Sequence, residues 1–226
     1  MLSIIIPCFN EEKIITQSIK KIDDWSKSKD FEIEILIINN ASTDNTDEEL
    51  RKASEIFRIS VLNENKKGKG YAIKKGLAEV ISSKVLILDA DLSTDLNAFD
   101  VDWLKKNELL ILGSRPLGEE IGTPRIRKFS GYILNLLIRN LFNLNIKDTQ
   151  CGFKYISSES LKSITEDLSF GGFIYDLDLI LLAINRNIDV LEIPVTYTFN
   201  NDSSVSLIKD PLVMLRDLFK LRKIYK

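Results

Sequence analysis

Two carboxylates one residue apart, Asp89 and Asp91, directly follow the aliphatic run Val85-Leu86-Ile87-Leu88. Residues two apart on extended chain project to the same side, so both would present oxygen to one place. Such a pair suits Mg²⁺ or Mn²⁺, which take one or two protein carboxylates and complete their shell with water and phosphate oxygens. The competing reading makes Asp89 a helix cap and Asp91 a solvated loop residue, since Asp-x-Asp alone is a short signature. A second concentration of chemistry spans Gly122 to Ile146, where no acidic residue occurs and Arg125, Arg127, Lys128 and Arg139 supply positive charge. At helical period Arg125, Lys128, Tyr132, Asn135 and Arg139 share a face. A solvated basic stripe is the alternative there. Natural surfaces usually mix signs, however, and an acid-free run of this length favours an anionic ligand.

The carboxylate pair needs an element to hold it. A short apolar run entered after Ser82-Ser83-Lys84 reads as a strand buried on both faces, and in open α/β sheets ligands bind beyond the carboxyl ends of the strands. The neighbouring sequence supplies the rest of such a sheet. Leu2 to Ile6 reads as a strand closed by Pro7, with Asn10 as N-cap of a helix carrying Ile15, Ile19, Ile22 and Trp25. Glu32 to Ile38 is a second strand, followed by a capping box at Thr46 and Glu49 and a helix with Leu50 and Ala53. Ile59 to Leu62, a helix bearing Ala72, Ile73 and Leu77, and the strand at Leu109 to Leu112 continue the alternation. The expected fold is α/β, a mostly parallel sheet with helices on both faces. Asp148 to Lys154 reads as a polar turn into a short strand, and Val190 to Thr198 as a final strand. Asp176 and Asp178 open a strongly apolar helix, where first-turn carboxylates serve the dipole.

With 226 residues, one folded domain is expected, and 33 acidic against 31 basic side chains give no net pull toward nucleic acid. No histidine is present, and Cys8 and Cys151 lack metal-ligand spacing. These features fit a reduced, cytoplasmic compartment. The longest apolar run, Leu179 to Ile184, is far too short to span a membrane. From Pro211 a terminal helix sets Met214, Leu218 and Leu221 on one side and Arg216, Lys220 and Lys223 on another. Either its apolar side dips into a membrane interface, or it packs on its own domain with a basic edge exposed.

Several signatures in one order make the chain resemble the family 2 glycosyltransferases, and within them the dolichyl-phosphate glucosyltransferases and related polyprenyl-phosphate sugar transferases. They are Ile5-Ile6-Pro7-Cys8-Phe9-Asn10-Glu11-Glu12, Ile37-Ile38-Asn39-Asn40-Ala41-Ser42-Thr43-Asp44, Gly68-Lys69-Gly70, Asp89-Ala90-Asp91-Leu92-Ser93, Gly113-Ser114-Arg115, Asp148-Thr149-Gln150-Cys151-Gly152-Phe153-Lys154 and Glu192-Ile193-Pro194-Val195. The resemblance implies a GT-A fold, here residues 1–204 with the basic helix of 205–226 in the same domain. It also implies a nucleotide-sugar donor, Mg²⁺ or Mn²⁺ and inversion at the anomeric carbon. By the same resemblance Pro7, Phe9, Asn10, Glu11, Asn39, Lys69, Asp89, Ala90 and Asp91 would form the donor site, with Asp89 and Asp91 on the metal. Arg125, Arg127, Arg139, Thr149, Gln150 and Cys151 would serve the acceptor. Catalysis would fall to Asp91, Arg125 and Arg127, with Asp176 the candidate base if the acceptor is a hydroxyl. Two positions depart from the pattern: Asn39 stands where an acid usually contacts the base, and Ser203-Ser204 where serine-lysine is usual. The expected reaction is transfer of a hexose, glucose foremost and from a UDP-sugar, to a polyprenyl phosphate at the cytoplasmic membrane face. The alternatives are a family 2 enzyme acting on a sugar hydroxyl of a surface polysaccharide and a degenerate nucleotide-sugar-binding module. A sugar nucleotidyltransferase would share the core, but Pro7 to Glu12 has no glycine-rich loop.

Overall fold

The computed structural model describes residues 1–225 other than 160, 170, 173 and 201–208, with the side chains of 209–213 also outside the description. The Ser203-Ser204 departure lies outside the described residues. Seven strands form one sheet: β1 (Leu2–Cys8), β2 (Ile33–Asn40), β3 (Ser60–Glu64), β4 (Lys84–Ile87), β5 (Leu109–Ile121), β6 (Lys154–Ser157) and β7 (Asp189–Thr198), in the order β3-β2-β1-β4-β6-β5-β7. All neighbours pair in parallel except at β6, which runs against both β4 and β5. The expected mostly parallel α/β sheet is therefore present, with one reversed strand.

The alternation of β-branched and aliphatic residues decides which helices cover which face. Ile4, Ile6, Ile35, Ile37, Leu86 and Ile111 point to the side covered by α1 (Ile15–Lys27) and α2 (Thr46–Ile56). Ile5, Leu36, Ile38, Val85, Ile87 and Leu110 point to the side covered by α3 (Lys69–Glu79), α5 (Leu161–Asp167) and α6 (Tyr175–Asn185). Period two on the strands thus loads both faces, which is why these strands read as unbroken apolar runs. A third cluster joins α4 (Arg125–Phe142), α6 and α7 (Lys209–Ile224): Ile138, Ile174, Leu177 and Leu181 bury against Met214, Leu218 and Leu221. The apolar side of α7 is packed on its own domain, which corrects the interfacial reading of that helix.

Two local expectations also change. Pro7 does not end β1, which pairs with β2 through Cys8. Ile5 C=O accepts from Leu88 N–H, so odd-numbered residues of β1 face β4. Pro7 falls on that side after β4 has ended, where no ladder donor is required. Asn10 is not an N-cap; α1 begins at Ile15, and Asn10 takes the left-handed conformation at φ 57°. An asparagine tolerates that conformation better than most side chains.

Candidate active site

The crevice at the carboxyl ends of β1, β2 and β4 is built from loops that bond to one another. The Asn10 side-chain oxygen accepts from Thr43 N–H at 2.7 Å, Glu11 N–H donates to Thr46 Oγ1 at 2.8 Å, and Asn45 N–H donates to Glu12 Oε2 at 2.9 Å. Thr46 is thus no capping-box N-cap. Its own N–H and hydroxyl donate to Asp44 Oδ1 at 3.0 and 2.6 Å, so Asp44 holds the first turn of α2. Asn40 fixes the next loop: its Nδ2 donates to Glu64 and Lys66 carbonyls and its Oδ1 accepts from Gly68 N–H at 2.7 Å. Gly68, at φ 143°, adopts a conformation open to glycine alone and aims Lys69 into the crevice. Lys67 lies 4.0 Å over the Phe9 ring.

Asp89 and Asp91 follow the end of β4, on a turn closed by Leu92 N–H to Asp89 C=O at 3.1 Å and not on the extended chain that their spacing implies. Asp89 ion-pairs with Lys69, and Gly152 presses so closely that a Cβ there would lie 1.9 Å from Asp89 Oδ2. Asp91 accepts from Ser93 N–H at 3.0 Å and from the Ser93 hydroxyl at 2.5 Å. Ala90 between them is buried. Burial works to raise the Asp89 pKa, but Lys69 outweighs it and leaves the carboxyl below its usual value. Asp91 goes the other way, raised by burial and by the negative charge of Asp89. Lys69 compensates one carboxylate, so the pair retains an uncompensated negative charge. A divalent cation fits that surplus. Among the described residues no third histidine, cysteine or acid joins the pair, so a cation here would depend on water and ligand phosphate for the rest of its shell.

The antiparallel insertion of β6 explains the second half of the site. The segment before it, read from sequence as a polar turn, is buried: Asp148, Thr149 and Cys151 are at most 2 % exposed. Asp148 receives Arg115 in a two-pronged pair, Nε to Oδ2 at 2.6 Å and Nη2 to Oδ1 at 2.9 Å. Arg115 sits where β5 slips register against β7, between Ser114 and Glu119. The Arg115 guanidinium holds the Asp148 carboxyl well below the usual range, against the opposing effect of burial. Glu192 accepts from the backbone N–H groups of Lys147 and Asp148 at 2.8 and 2.9 Å. Thr149 bonds Asn135 of α4 through both its N–H and its hydroxyl, and Cys151 Sγ lies 3.8 Å from Thr94 Oγ1. Thr149 and Cys151 therefore act as internal struts. Gln150 is half-buried, and its Nε2 has no partner.

Beside Arg115 opens a cavity of about 280 Å³ lined by Arg127, Lys128, Tyr132, Asn135 and Arg139 of α4 together with Tyr197 and Phe199. Its two acids are each matched, Asp148 with Arg115 and Glu120 with Lys128 at 3.6 Å. Among the described residues Arg127 and Arg139 have no carboxylate partner; Arg127 stacks 5.0 Å from the Phe199 ring. Arg125 does not join them. It shares the helical face of Lys128, Tyr132, Asn135 and Arg139, but as the first residue of α4 it is exposed and outside the cavity lining. The cavity and the carboxylate pair are neighbours, since the loop after Asp91 is bonded to the strand that lines the cavity: Thr198 N–H donates to Ser93 C=O at 2.7 Å, and Thr94 bridges to Tyr197.

Asp176 lies outside the cavity lining. It is 3 % exposed and paired at 2.5 Å with Lys154, which is itself buried and donates to Cys151 C=O. The Tyr175 ring lies 5.9 Å from Lys69 Nζ and 6.0 Å from Lys154 Nζ. Asp178 serves packing: its oxygens accept from Ser169 N–H and Tyr225 OH at 2.7 Å each. Asn39 is buried, with Nδ2 on Asp47 at 3.1 Å and Oδ1 unpartnered.

The Glycosyl transferase family 2 model matches residues 3–165. The chain belongs to glycosyl transferase family 2. A dolichyl-phosphate β-glucosyltransferase of Trichomonas vaginalis is 33 % identical over 97 % of this chain and 72 % of its own length. One of Dictyostelium discoideum is 29 % identical over 98 % and 73 %. Among solved structures, glucosyl-3-phosphoglycerate synthase of Mycobacterium tuberculosis, in complex with Mn²⁺, UDP-glucose and phosphoglyceric acid, superposes with a TM-score of 0.69. It covers 100 % of this chain and 79 % of its own at 16 % identity, a likeness of fold.

Arg115, Lys154 and Glu192 support the site through contacts that the sequence does not display, and Asn135, on the basic face of α4, holds Thr149. Arg115, Lys154 and Glu192 stood inside the recognised signatures. What hid them was pairing across long sequence separation, which spacing does not report.

Proposed function

We propose that this family 2 enzyme transfers glucose from UDP-glucose to the phosphate of a polyprenyl lipid of dolichyl type, with inversion. The observation that carries the reading is the cavity with two uncompensated arginines, Arg127 and Arg139, beside the carboxylate pair. The relatives named for dolichyl-phosphate glucosylation support it. A phosphate monoester has its second pKa near ~6, so at neutral pH the acceptor arrives largely ionised and needs positioning rather than a base. Its oxygen attacks the anomeric carbon, the bond from that carbon to the diphosphate oxygen breaks, and UDP departs with the electron pair. Arg127 and Arg139 hold the acceptor phosphate through planar donors suited to it, and Arg115, fixed by Asp148, sets the boundary between acceptor and donor. Asp89 and Asp91 would hold Mg²⁺ or Mn²⁺, which as a Lewis acid stabilises charge on the leaving diphosphate. Lys69 adds a cation on the same side. The loops of Pro7 to Glu11 and Asn39 form the nucleoside pocket, where Asn39 Oδ1 is an acceptor suited to a uracil N–H.

Transfer to a sugar hydroxyl would need a base, and Asp176 is the carboxylate for that role. Its burial against Lys154 suits it better to a structural ion pair than to receiving an acceptor proton. The test is a pair of variants, Arg127→Ala and Arg139→Ala, assayed with short prenyl phosphates. Each should raise the KM for the phosphate acceptor by about tenfold or more, the worth of a charge-assisted hydrogen bond. Calorimetric affinity for UDP-glucose should stay unchanged. Unaltered acceptor kinetics in both variants would remove the cavity from the reaction.

A further inference from the structure

Each side of α4 has a different neighbour. Ile138 is buried, and Leu134, Leu137, Leu141 and Phe142 pack toward α6 and α7. Arg127, Lys128, Asn135 and Arg139 face the cavity. The remaining arc carries Ile126, Phe129 and Ile133, with Tyr132 and Leu136 on the edge it shares with the cavity. These five side chains are 68, 64, 49, 65 and 44 % exposed, respectively. Their spacing of three and four residues makes one continuous stripe down the helix. A stripe of large apolar side chains left to water marks an interaction surface rather than ordinary scatter. Its setting is cationic: Arg125 lies on the same arc, no acid occurs from Gly122 to Ile146, and Arg127 and Arg139 stand unpaired at the adjoining cavity.

We infer that this stripe of α4 docks on the surface of an anionic phospholipid bilayer, so that the cavity opens against the headgroups. The inference rests on the lipid-phosphate reading of that cavity and assigns the membrane contact to α4, whereas α7 spends its apolar side on the core. Apolar side chains of a surface-lying helix enter the headgroup and acyl boundary while flanking arginines meet the phosphates. A second copy of the chain fits less well. A two-fold interface would bring the same patch against itself, and with it the Arg125 charges. A lipid acceptor offers the further advantage that its phosphate already lies at the plane on which α4 would rest.

The test uses the full chain and vesicles of phosphatidylcholine with and without phosphatidylglycerol. The wild type should co-sediment with the mixed vesicles, weakly with the neutral ones, and less as salt is raised. Phe129→Glu and Ile133→Glu, both outside the cavity lining, should weaken mixed-vesicle binding about tenfold or more, since each removes buried apolar area and adds repulsion. Both should melt like the wild type and retain transfer to a short, water-soluble prenyl phosphate, while transfer to a long-chain polyprenyl phosphate in vesicles drops. Undiminished vesicle binding by the variants, no vesicle binding by the wild type, or a wild-type dimer that Phe129→Glu dissociates in light scattering would each overturn the docking surface. Vesicle binding through Phe129 by an enzyme that glucosylates no prenyl phosphate would instead defeat the functional reading and leave the docking surface standing.

Discussion

Gly152 and Asp148 are the residues on which the site depends without touching a substrate. Gly152 lies against the Asp89 carboxylate, and a methyl group there would sit 1.9 Å from an oxygen. Asp89 is short and tied to Lys69, so it cannot give way without changing its aim. Gly152→Ala should therefore weaken UDP-glucose binding in the presence of Mn²⁺ by about tenfold or more, as expected when a ligand carboxylate is displaced, with a small change in melting temperature; calorimetry and thermal unfolding check both. Asp148 is a folding group as well as a fence. Its folded pKa is depressed, so the stability it contributes is complete above the unfolded value of about 4 and is lost as pH falls through the folded pKa. Asp148→Asn strands the half-buried Arg115 and should cost about 3–5 kcal/mol at neutral pH. In urea titrations the gap from wild type should hold from pH 7 to 5 and close as pH drops below about 4. A gap that widens in acid would contradict the pairing. At this scale the sequence was legible where one residue acts through its own chemistry, as Asp89 and Asp91 do. It was silent where a residue's meaning is its distant partner: Arg115 lies 33 positions from Asp148.

Helices and strands were legible where a single period governs them. The apolar runs of β1, β2 and β4 and the spacing in α1 mark their elements directly, because burial on two faces or one stripe leaves a signature in residue type. Ends and directions were not. The reversed β6 is four residues long, too short to carry a direction, and Asn10 resembles a cap because asparagine serves both caps and left-handed turns. For α7 the pattern fitted a membrane stripe and a core stripe equally, and the deciding fact is the complementary surface of Ile138, Leu177 and Leu181. Leu218, fully buried there, should lose about 2–5 kcal/mol on substitution by alanine. Urea unfolding measures this, and the same variant should keep its vesicle binding. Stability unchanged by Leu218→Ala would mean that α7 does not belong to the core.

In the proposed function the whole molecule is a donor crevice beside an acceptor cavity, with Arg115 at their boundary. Among the described residues no helix is long and apolar enough to cross a membrane. Donor affinity should appear as stability: UDP with Mn²⁺ should raise the melting temperature more than GDP with Mn²⁺, because a ligand that binds only the folded state stabilises it by mass action. An equal or larger shift with GDP would count against the uracil assignment at Asn39. The reaction itself is tested by incubating the wild-type protein with radiolabelled UDP-glucose, Mn²⁺ and either a short prenyl phosphate or the corresponding prenyl alcohol, then measuring label in the organic extract. Label should enter the extract with the phosphate alone, as an acid-labile glucosyl phosphate. Label transferred to the alcohol or to a sugar hydroxyl, with none on the phosphate, would contradict the account.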